Sequence, residues 1–191
     1  MNLVGIVLAA GASTRLGRPK QLVEIDGESL LLRTIRIVSA ARVSKVAITL
    51  GAHYDEIGPA LMGKGLTVDR LINPDWREGM ASSIRQGITW ARSQSATGVL
   101  LCVCDQPLLT TEHIDMLIAM HEAALQQNAT VGSRYRDVIG VPAVFPSSSF
   151  DDLAALTGDR GARALLQTAQ WIEWEPGAVD IDTEHDLGRL S

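Results

Sequence analysis

This chain of 191 residues lacks long apolar stretches and any excess of basic residues. Its longest apolar run, near Val99 to Val103, is far shorter than the roughly 20 residues of a membrane-spanning helix, and no basic leader precedes the first strand-like segment. We therefore expect a cytoplasmic protein without a membrane partner. Seventeen Lys and Arg residues against 22 Asp and Glu give a net charge of −5, which argues against nucleic acid as a partner. Any phosphate that the chain binds must be held by a local group of residues.

Cysteine and histidine are too few or too scattered for several kinds of chemistry. Cys102 and Cys104 lie two apart in an apolar run, which is the spacing of neither a metal pair nor a redox CxxC motif, and we expect both to be buried. No GxSxG elbow is present, so acyl transfer has no support. The four histidines have neither ligand spacing nor a neighbouring nucleophile; they are His53, His113, His121 and His185.

Short apolar runs alternate with longer helix-like stretches, which predicts a single α/β domain over residues 1–191, with a mostly parallel sheet and helices on both faces. Leu3 to Ala9 is almost wholly apolar, as a buried central strand should be. Further strand-like segments are predicted at Val46 to Leu50, Val68 to Ile72, Val99 to Cys104, Ala129 to Ser133, Val141 to Phe145, Trp171 to Trp174 and Val179 to Asp182. Helices are predicted at Ser29 to Arg42, Tyr54 to Met62, Met80 to Arg92, Thr111 to Asn128 and Arg160 to Ala169, with Met80, Ile84, Ile88 and Ala91 facing inward and a short helix closing the chain.

The segment LAAGASTRLGRPKQL, Leu8 to Leu22, starts where the first strand ends, at the sheet edge where open α/β proteins bind ligands. Its glycines allow close backbone approach to a phosphate, and its two cations suit a polyphosphate. It is neither a Walker loop nor a GxGxxG fingerprint. An ordinary turn with solvated cations is the alternative. The residues that suit a polyphosphate here are Gly11, Ser13, Thr14, Arg15, Gly17 and Lys20.

Acidic residues that could hold a metal follow two other segments. Asp105 in CDQP comes directly after the fourth strand, where a carboxylate is a natural ligand for Mg²⁺ on a triphosphate, although aspartate is equally common as a turn cap. Asp180 and Asp182 alternate along a strand-like stretch, so we expect both to face one side. Either of them could complete a metal site with Asp105.

The stretch NPDWREGMASSIRQG lies between a strand end and a helix start, where backbone amides and short polar side chains face the same edge. A nucleobase could be recognised here. Ser82 and Ser83 could equally cap the helix through their own backbone. Trp76 and Trp90 are expected to be packing residues.

These strings resemble, in order, the motifs of the MobA-like NTP transferase family, and the similarity covers nearly the whole chain. They are closest to the branch that contains molybdenum cofactor cytidylyltransferase. The remaining matching strings are GVPAVF, LTGDRGAR and DIDTEHDL. The resemblance implies a three-layer, Rossmann-like fold with a mostly parallel, mixed central sheet, an NTP-binding N-terminal half and an acceptor-binding C-terminal half.

The resemblance also implies transfer of CMP from CTP to a phosphorylated pterin, Mo-molybdopterin, with Mg²⁺ as cofactor, pyrophosphate as product and a recipient molybdoenzyme as a transient partner. Ala9-Ala10-Gly11 is the form typical of CTP users, since guanylyltransferase relatives have Gly in place of Ala10. The implied catalytic residues are Arg15, Lys20 and Asp105. The implied nucleotide-binding residues are Leu8, Ala9, Ala10, Gly11, Ser13, Arg15, Lys20, Asn73, Gly79, Ser82, Ser83 and Asp105. The implied acceptor-binding residues are Gly140, Pro142, Asp159, Arg160 and Arg163, and the implied metal ligands are Asp105 and Asp182, with Asp180 as the fallback.

Three alternatives stay open. The methylerythritol phosphate cytidylyltransferases share Lys20-Gln21 but carry Lys in place of Asp180 and an extra dimerising arm. A guanylyltransferase-type relative is the second alternative. The third, from another class, is a non-catalytic carrier or insertion chaperone for the pterin cofactor; the intact set of Arg15, Lys20, Asp105 and Asp182 argues against it.

Overall fold

A computed structural model of the chain describes residues 1–124 and 128–188. Its main feature is a seven-stranded sheet with the order β5-β4-β1-β6-β8-β7-β9, in which β8 alone runs against the other strands. The strands of this sheet are β1 (Leu3–Ala9), β4 (Lys45–Leu50), β5 (Asp69–Ile72), β6 (Gly98–Val103), β7 (Val131–Tyr135), β8 (Val138–Pro146) and β9 (Gln170–Glu173); β2 (Glu24–Ile25) and β3 (Glu28–Ser29) form a separate small hairpin. The α/β class with a mixed, mostly parallel sheet is confirmed.

Helices cover both faces of the sheet. They are α1 (Leu30–Ala40), α2 (Tyr54–Ala60), α3 (Met80–Ser93), α4 (Thr111–Ala123), α5 (Phe150–Ala154) and α6 (Glu184–Leu187). Helices α1, α2 and α4 pack on one face of the sheet, and α3 and α5 pack on the other. The result is three layers with two apolar cores, as expected when a parallel sheet is buried on both sides.

Strand β1 lies at the centre because every one of its side chains is apolar and buried. It pairs in parallel with β4 and β6, with Ala9 opposite Leu50 and Leu8 opposite Val103. The carboxyl ends of these strands therefore meet at one edge, and the segments that follow them converge there.

A capping residue and the spacing of apolar residues in the sequence predicted two of the helices correctly. Ser29 caps α1, and its side chain accepts from the backbone N–H of Leu32. Three of the four residues expected to face inward on α3 are buried. The prediction for Met80 was wrong, since this side chain is 43% exposed. It occupies the first turn of α3, which projects beyond the sheet edge into the region described below.

The C-terminal third departs most from the predicted pattern. The expected helix at Arg160 to Ala169 is a 3₁₀ helix over Gly161–Leu166, and α5 was not predicted. Val179 to Asp182 forms no strand, so the expectation that Asp180 and Asp182 share one face loses its basis. The predicted helix to Asn128 ends at Ala123 in the described part of the chain, and residues 125–127 lie outside it.

The predicted burial of both cysteines is confirmed, and burial raises the pKa of both thiols. Among residues 1–124 and 128–188, no helix has the length and apolar character needed to cross a membrane.

Candidate active site

A cavity of about 400 Å³ opens at the carboxyl ends of β1 and β6. Its walls come from the first loop, the start of α3, the end of β6 and one residue of the 158–161 loop. The residues that line it are Leu8, Ala9, Ala10, Gly11, Ala12, Ser13, Lys20, Gln21, Trp76, Arg77, Gly79, Met80, Ser83, Val103, Cys104, Asp105 and Asp159. We refer to it as the first cavity.

The first loop, residues 10–20, is held in shape by its own polar groups. Ser13 has a positive φ of 52°, and its hydroxyl oxygen accepts from the backbone N–H of Lys20 at 3.0 Å. The Gln21 amide, 1% exposed, donates to the carbonyls of Ala9 and Gly11 at 2.8 and 2.9 Å. The protein's own hydrogen bonds thus hold the loop at both ends. The role of Gln21 was missed from the sequence because its partners are backbone atoms.

Lys20 lies between two carboxylates from distant parts of the chain. Its Nζ is 2.9 Å from Asp105 Oδ2 and 2.6 Å from Asp182 Oδ1. Arg15 Nη2 pairs with the other Asp182 oxygen at 2.7 Å. The two predicted cations and the two preferred acids therefore converge at the rim of the first cavity, which was the geometric requirement of the sequence-based hypothesis.

Two opposing effects set the pKa of Lys20. Burial of the ammonium by itself lowers the pKa, but the negative charge of Asp105 and the hydrogen bonds that the ammonium donates to Asp182 and Asp105 outweigh that effect. The pKa of Lys20 is therefore raised above its usual value, and the side chain is a permanent cation at neutral pH.

The segment around Asp182 is attached to the Asp105 turn and to its own short helix. The Ile181 N–H donates to the Asp105 carbonyl at 3.0 Å, and Ile181 is fully buried with Leu16. The Asp186 carboxylate accepts from the backbone N–H groups of Asp182 and Thr183 at 3.1 and 2.8 Å. These contacts orient Asp182 toward Lys20.

At the start of α3, two adjacent serines have different roles. The Asn73 amide donates to Ser82 Oγ at 2.8 Å and to Ser83 Oγ at 2.9 Å. Ser82 in turn donates to the Gly79 carbonyl at 2.9 Å, so its hydroxyl hydrogen is already used. Ser83 is 4% exposed and lines the first cavity, and among the described residues no acceptor is found for its hydroxyl hydrogen. Ser83 can therefore donate to a ligand.

The 158–161 loop sits on the beginning of α3. The Ala81 N–H donates to the Gly158 carbonyl at 3.0 Å, and Gly79 has a φ of 118°. A Cβ at Gly79 would lie 2.2 Å from Asp159 Oδ1, so only glycine fits there. Asp159, which the resemblance assigned to the acceptor, consequently lies in the wall of the first cavity.

A second cavity of about 240 Å³ adjoins the first, and the two share Met80, Val103 and Asp105 in their walls. Asp180 lines the second cavity and not the first, whereas Asp182 contacts the two cations. The fallback metal ligand is thus separated from the preferred one. The remaining lining residues of the second cavity are Gln106, Tyr135, Arg136, Val141, Gly177 and Ala178, none of which was predicted.

The other predicted acceptor residues lie around β8 and the 158–161 loop. Gly140 lies directly against Tyr135. A Cβ added at Gly140 would lie 2.3 Å from the tyrosine oxygen. Pro142 is buried and follows a cis peptide bond. Arg160 and Arg163 are exposed and line neither cavity; within residues 1–124 and 128–188 they have no ion pair, and the Arg163 charge acts to lower the pKa of Tyr135.

The donor set at Lys20 fits a hard divalent cation. Asp105 and Asp182 already hold one positive group between two carboxylate oxygens, the ligand type that Mg²⁺ prefers. No group of three or more His, Cys, Asp or Glu side chains suited to a metal occurs in the described part of the chain. Two carboxylates completed by phosphate and water oxygens is the usual pattern for Mg²⁺ in triphosphate enzymes.

Comparison with known proteins matches residues 5–174 to the MobA-like NTP transferase domain. The chain is 28% identical to purine catabolism protein PucB of Bacillus subtilis, over 98% of this chain and 96% of the relative. It is also 28% identical to nicotine blue oxidoreductase of Paenarthrobacter nicotinovorans, with the same coverage of both chains. A molybdenum cofactor guanylyltransferase of Rhodobacter capsulatus is 32% identical over 66% of this chain and 63% of the relative.

Solved structures agree with this result. Rv0371c of Mycobacterium tuberculosis superimposes with a TM-score of 0.81 at 28% identity, covering 100% of this chain and 98% of that chain. A complex of Rv0371c with manganese gives a TM-score of 0.76 at 27% identity, with the same coverage.

Proposed function

Because the chain belongs to the MobA-like NTP transferase family and is a nucleotidyltransferase, we propose that it transfers CMP from CTP to a phosphorylated acceptor, Mo-molybdopterin. A phosphate oxygen of the acceptor attacks the α-phosphorus of CTP. The new phosphoanhydride bond forms as the bond between the α- and β-phosphates breaks, and pyrophosphate leaves with the electron pair. A cytoplasmic location and a recipient molybdoenzyme are part of this proposal.

The observation that carries the proposal is the ion cluster of Lys20, Arg15, Asp105 and Asp182 at the rim of the first cavity. The acceptor phosphate is already anionic at neutral pH, so no protein nucleophile is required. Catalysis then depends on in-line positioning and on neutralising charge at the reacting centre and on pyrophosphate. Lys20 and Arg15 are the cations available for the β- and γ-phosphates.

Arg15 and Lys20 both pair with Asp182. An incoming triphosphate must therefore compete with this carboxylate for Arg15 and Lys20. The ammonium of Lys20 needs little movement, because the cavity lies beside it. Its raised pKa keeps it charged throughout the reaction.

Asp105 and Asp182 would hold Mg²⁺ together with phosphate oxygens. When bound, the ion supplies charge neutralisation and polarisation at the phosphates. Asp105 is oriented independently of any ion, since Ile181 N–H binds its carbonyl and Arg33 Nε donates to the Pro107 carbonyl at 3.0 Å. The manganese complex of the related Rv0371c supports a divalent cation in this type of protein.

Cytosine complements the polar groups of the first cavity. Ser83 offers a hydroxyl donor, and the Asp159 carboxylate offers only acceptors. Cytosine presents acceptors at N3 and O2 and a donor at its amino group. Uracil instead presents a donor at N3 and an acceptor, O4, in place of the amino group. We assign Ser83 to the acceptor edge of the base and Asp159 to the amino group. Ala9 and Ala10, which precede Gly11 in the cavity wall, support CTP through the family pattern.

Exposed cations in the C-terminal half of the chain support a phosphorylated acceptor. Arg163 and Arg160 have no ion pair among the described residues, which suits them to a phosphate ester. The relative in Rhodobacter capsulatus that is named molybdenum cofactor guanylyltransferase supports a pterin acceptor.

The test is pyrophosphate release from CTP, GTP, ATP and UTP with Mg²⁺, with and without Mo-molybdopterin. We expect release that requires the acceptor and is fastest with CTP. Asp105→Ala should lower the rate by roughly two orders of magnitude or more, as for loss of one preorganised electrostatic partner, with little change in melting temperature. Asp152→Asn, an exposed substitution on α5, is the matched control.

Other outcomes would replace the proposal. Fastest release with GTP would indicate a guanylyltransferase, and release with methylerythritol phosphate would indicate the isoprenoid reaction. Cofactor binding without release from any nucleotide would favour a carrier. Near-normal activity of Asp105→Ala would refute the assigned role of Asp105.

A further inference from the structure

The segment that joins β4 to α2, residues 51–53, is hydrogen-bonded to the first loop. The Ala52 N–H donates to the Ala10 carbonyl at 3.1 Å, and His53 Nε2 lies 2.9 Å from the Ala12 carbonyl oxygen. A carbonyl oxygen can only accept, so Nε2 is the donor in this bond. Two carbonyls of the first loop are therefore held by residues that lie outside the wall of the first cavity.

The two segments approach each other closely. A Cβ added at Gly51 would lie 2.8 Å from the Ala10 carbonyl oxygen and 2.7 Å from Trp76 Cβ. Glycine is the residue that permits such an approach of one backbone to another. The end of β4 is thus built to come within hydrogen-bond distance of the first loop.

The position of His53 is fixed by other contacts. Its Nδ1, on the other edge of the ring, lies 3.0 Å from Glu56 Oε1, and the two form an ion pair when Nδ1 also carries a proton. The N–H of Ile57, a fully buried core residue, donates to the His53 carbonyl at 2.9 Å. His53 precedes α2, yet its side chain makes no capping bond to that helix. Replacing this side chain therefore removes its bond to the first loop without removing a helix cap.

The bonds to the two carbonyls determine where the following N–H groups point. In a trans peptide, the C=O of one residue and the N–H of the next point in opposite directions, and the peptide bonds of the first loop are trans. The N–H groups of Gly11 and Ser13 consequently point away from residues 51–53, and both residues line the first cavity. Among residues 1–124 and 128–188, neither N–H has a hydrogen-bond acceptor. Both can donate to an anionic ligand in the first cavity.

We propose that His53 is a positioning residue for the nucleotide: by donating to the Ala12 carbonyl, it keeps the Ser13 N–H directed at the phosphates. This inference rests on the proposed function for the identity of the ligand. His53 acts through the loop and not on the ligand, because it lies outside the cavity wall. Without this bond the peptide between Ala12 and Ser13 would be able to rotate, and a carbonyl oxygen turned toward the cavity would repel the phosphates.

The experiment compares two substitutions of His53 that differ in one hydrogen-bond donor. In His53→Gln, the amide nitrogen can occupy the position of Nε2, whereas His53→Leu has a side chain of similar length without a donor. Calorimetry measures the binding of inorganic tripolyphosphate and of CTP, each with Mg²⁺, to the intact protein. We expect His53→Leu to bind both about tenfold more weakly, as for loss of a hydrogen bond to a charged group, and His53→Gln to bind both about as tightly as wild type.

Turnover assays and a control variant separate this role from a structural one. His53→Leu should raise the KM of CTP about tenfold and leave the KM of the acceptor unchanged. Asp55→Asn, an exposed substitution in the first turn of α2, should change neither affinity. Thermal melts verify folding. If His53→Leu does not fold, His53→Asn replaces it, because asparagine is favoured before a helix but is too short to reach the Ala12 carbonyl.

Equal weakening of tripolyphosphate binding in His53→Gln and His53→Leu, or wild-type affinity in His53→Leu, would overturn the inference. The two proposals fail separately. Unchanged binding in His53→Leu, with normal pyrophosphate release from CTP by wild type, would refute the positioning role and leave the proposed function standing. No pyrophosphate release by wild type, with the expected effect of His53 on tripolyphosphate binding, would refute the proposed function and leave the positioning role standing.

Discussion

Ion pairs dominate the rim of the first cavity, whereas the second cavity is organised around a neutral amide. Lys20 and Arg15 are neutralised by Asp182 and Asp105, so ligand binding in the first cavity is an exchange of charged partners. In the wall of the second cavity, Gln106 donates to two backbone carbonyls, and its own buried oxygen has no hydrogen-bond partner among residues 1–124 and 128–188. The first arrangement suits a triphosphate.

The difference also concerns how each cavity is supported. Elements from both ends of the chain build the first cavity, through the first loop and the segment that carries Asp182. The wall of the second cavity depends on β7, β8 and a buried histidine. Ser133 donates to the Pro142 carbonyl at 2.7 Å, so His113 Nε2 must be the donor to Ser133 Oγ, also at 2.7 Å. His113 Nδ1 is left buried without a partner in the described residues.

The largest expected effect concerns the replacement of Asp182 by the triphosphate as the partner of Arg15 and Lys20. Asp182→Asn removes the competitor for Arg15 and Lys20, so CTP binding without a divalent cation should strengthen about tenfold. With Mg²⁺ and acceptor, the same variant should lose about a hundredfold in kcat. Titrations with and without Mg²⁺, together with turnover assays, measure both changes. Glu184→Gln is the matched control, because Glu184 pairs with Arg18 and contacts neither cation.

If Asp182→Asn weakens both metal-free CTP binding and kcat, or increases both, the competition between Asp182 and CTP for Arg15 and Lys20 is contradicted. The first cavity would then bind CTP through groups other than Arg15 and Lys20.

The adjacent serines of α3 provide a second test within the first cavity. Ser83→Ala should weaken CTP binding about tenfold through loss of one hydrogen bond to the base, with a small loss of stability. Ser82→Ala should have little effect on CTP binding but should cost about 1–2 kcal/mol of unfolding free energy. The reason is that the Ser82 hydroxyl joins Asn73 to the Gly79 carbonyl. Equal effects of the two substitutions on CTP binding would contradict the assignment of base recognition to Ser83 and not Ser82.

Asp159→Asn tests which cavity this residue serves. An amide can donate to the O4 atom of uracil, whereas a carboxylate cannot, so the preference for CTP over UTP should fall about fivefold. Asp180→Asn, in the second cavity, should leave that preference unchanged. If Asp159→Asn instead alters the KM of the acceptor alone, the original assignment to the acceptor side is correct.

The smallest expected effect is on stability in mild acid. Burial lowers the pKa of His113 from 6.5 to about 4. Below pH 6.5 the unfolded chain binds a proton that the folded protein excludes, so stability is lost progressively as the pH falls from 6.5 toward 4. Relative to neutral pH, the loss should be about 1 kcal/mol at pH 5.5.

Denaturant unfolding of wild-type protein and His113→Gln, between pH 7 and 4.5, measures this contribution. Glutamine can still donate to Ser133 but does not titrate, so its unfolding free energy should depend less on pH. Identical pH dependence in both proteins would assign the loss to other groups.

Local patterns in the sequence predicted the elements that position the first cavity. An apolar strand followed by a glycine-rich loop, and an aspartate directly after another buried strand, place Lys20 and Asp105 at one sheet edge, because parallel strands end on the same side. The cap at Ser29 and the buried face of α3 follow from spacing in the same way.

Outside helices and strands, the spacing of residues along the sequence could not predict which side chains line the same cavity. Asp180 and Asp182 were expected on one face, but without a strand the alternation of side chains does not apply. Asp180 lines the second cavity, whereas Asp182 pairs with Lys20 and Arg15. Asp159 lies at the first cavity because the 158–161 loop bonds to the start of α3.

The sequence by itself determined the strand order along the chain, the polyphosphate-like loop and the residue types at the ends of the strands, since these depend on periodicity and on neighbours a few positions apart. Only the tertiary structure decided that, in the described part of the chain, the hydroxyl hydrogen of Ser83 lacks an acceptor while that of Ser82 has one, and that Gln106 and Tyr135 border a second cavity. The physical reason is that hydrogen-bond partners and shared walls depend on how segments meet in three dimensions, as where the start of α3 meets Asn73 or where Gln106 meets Gly177, 71 residues away in sequence.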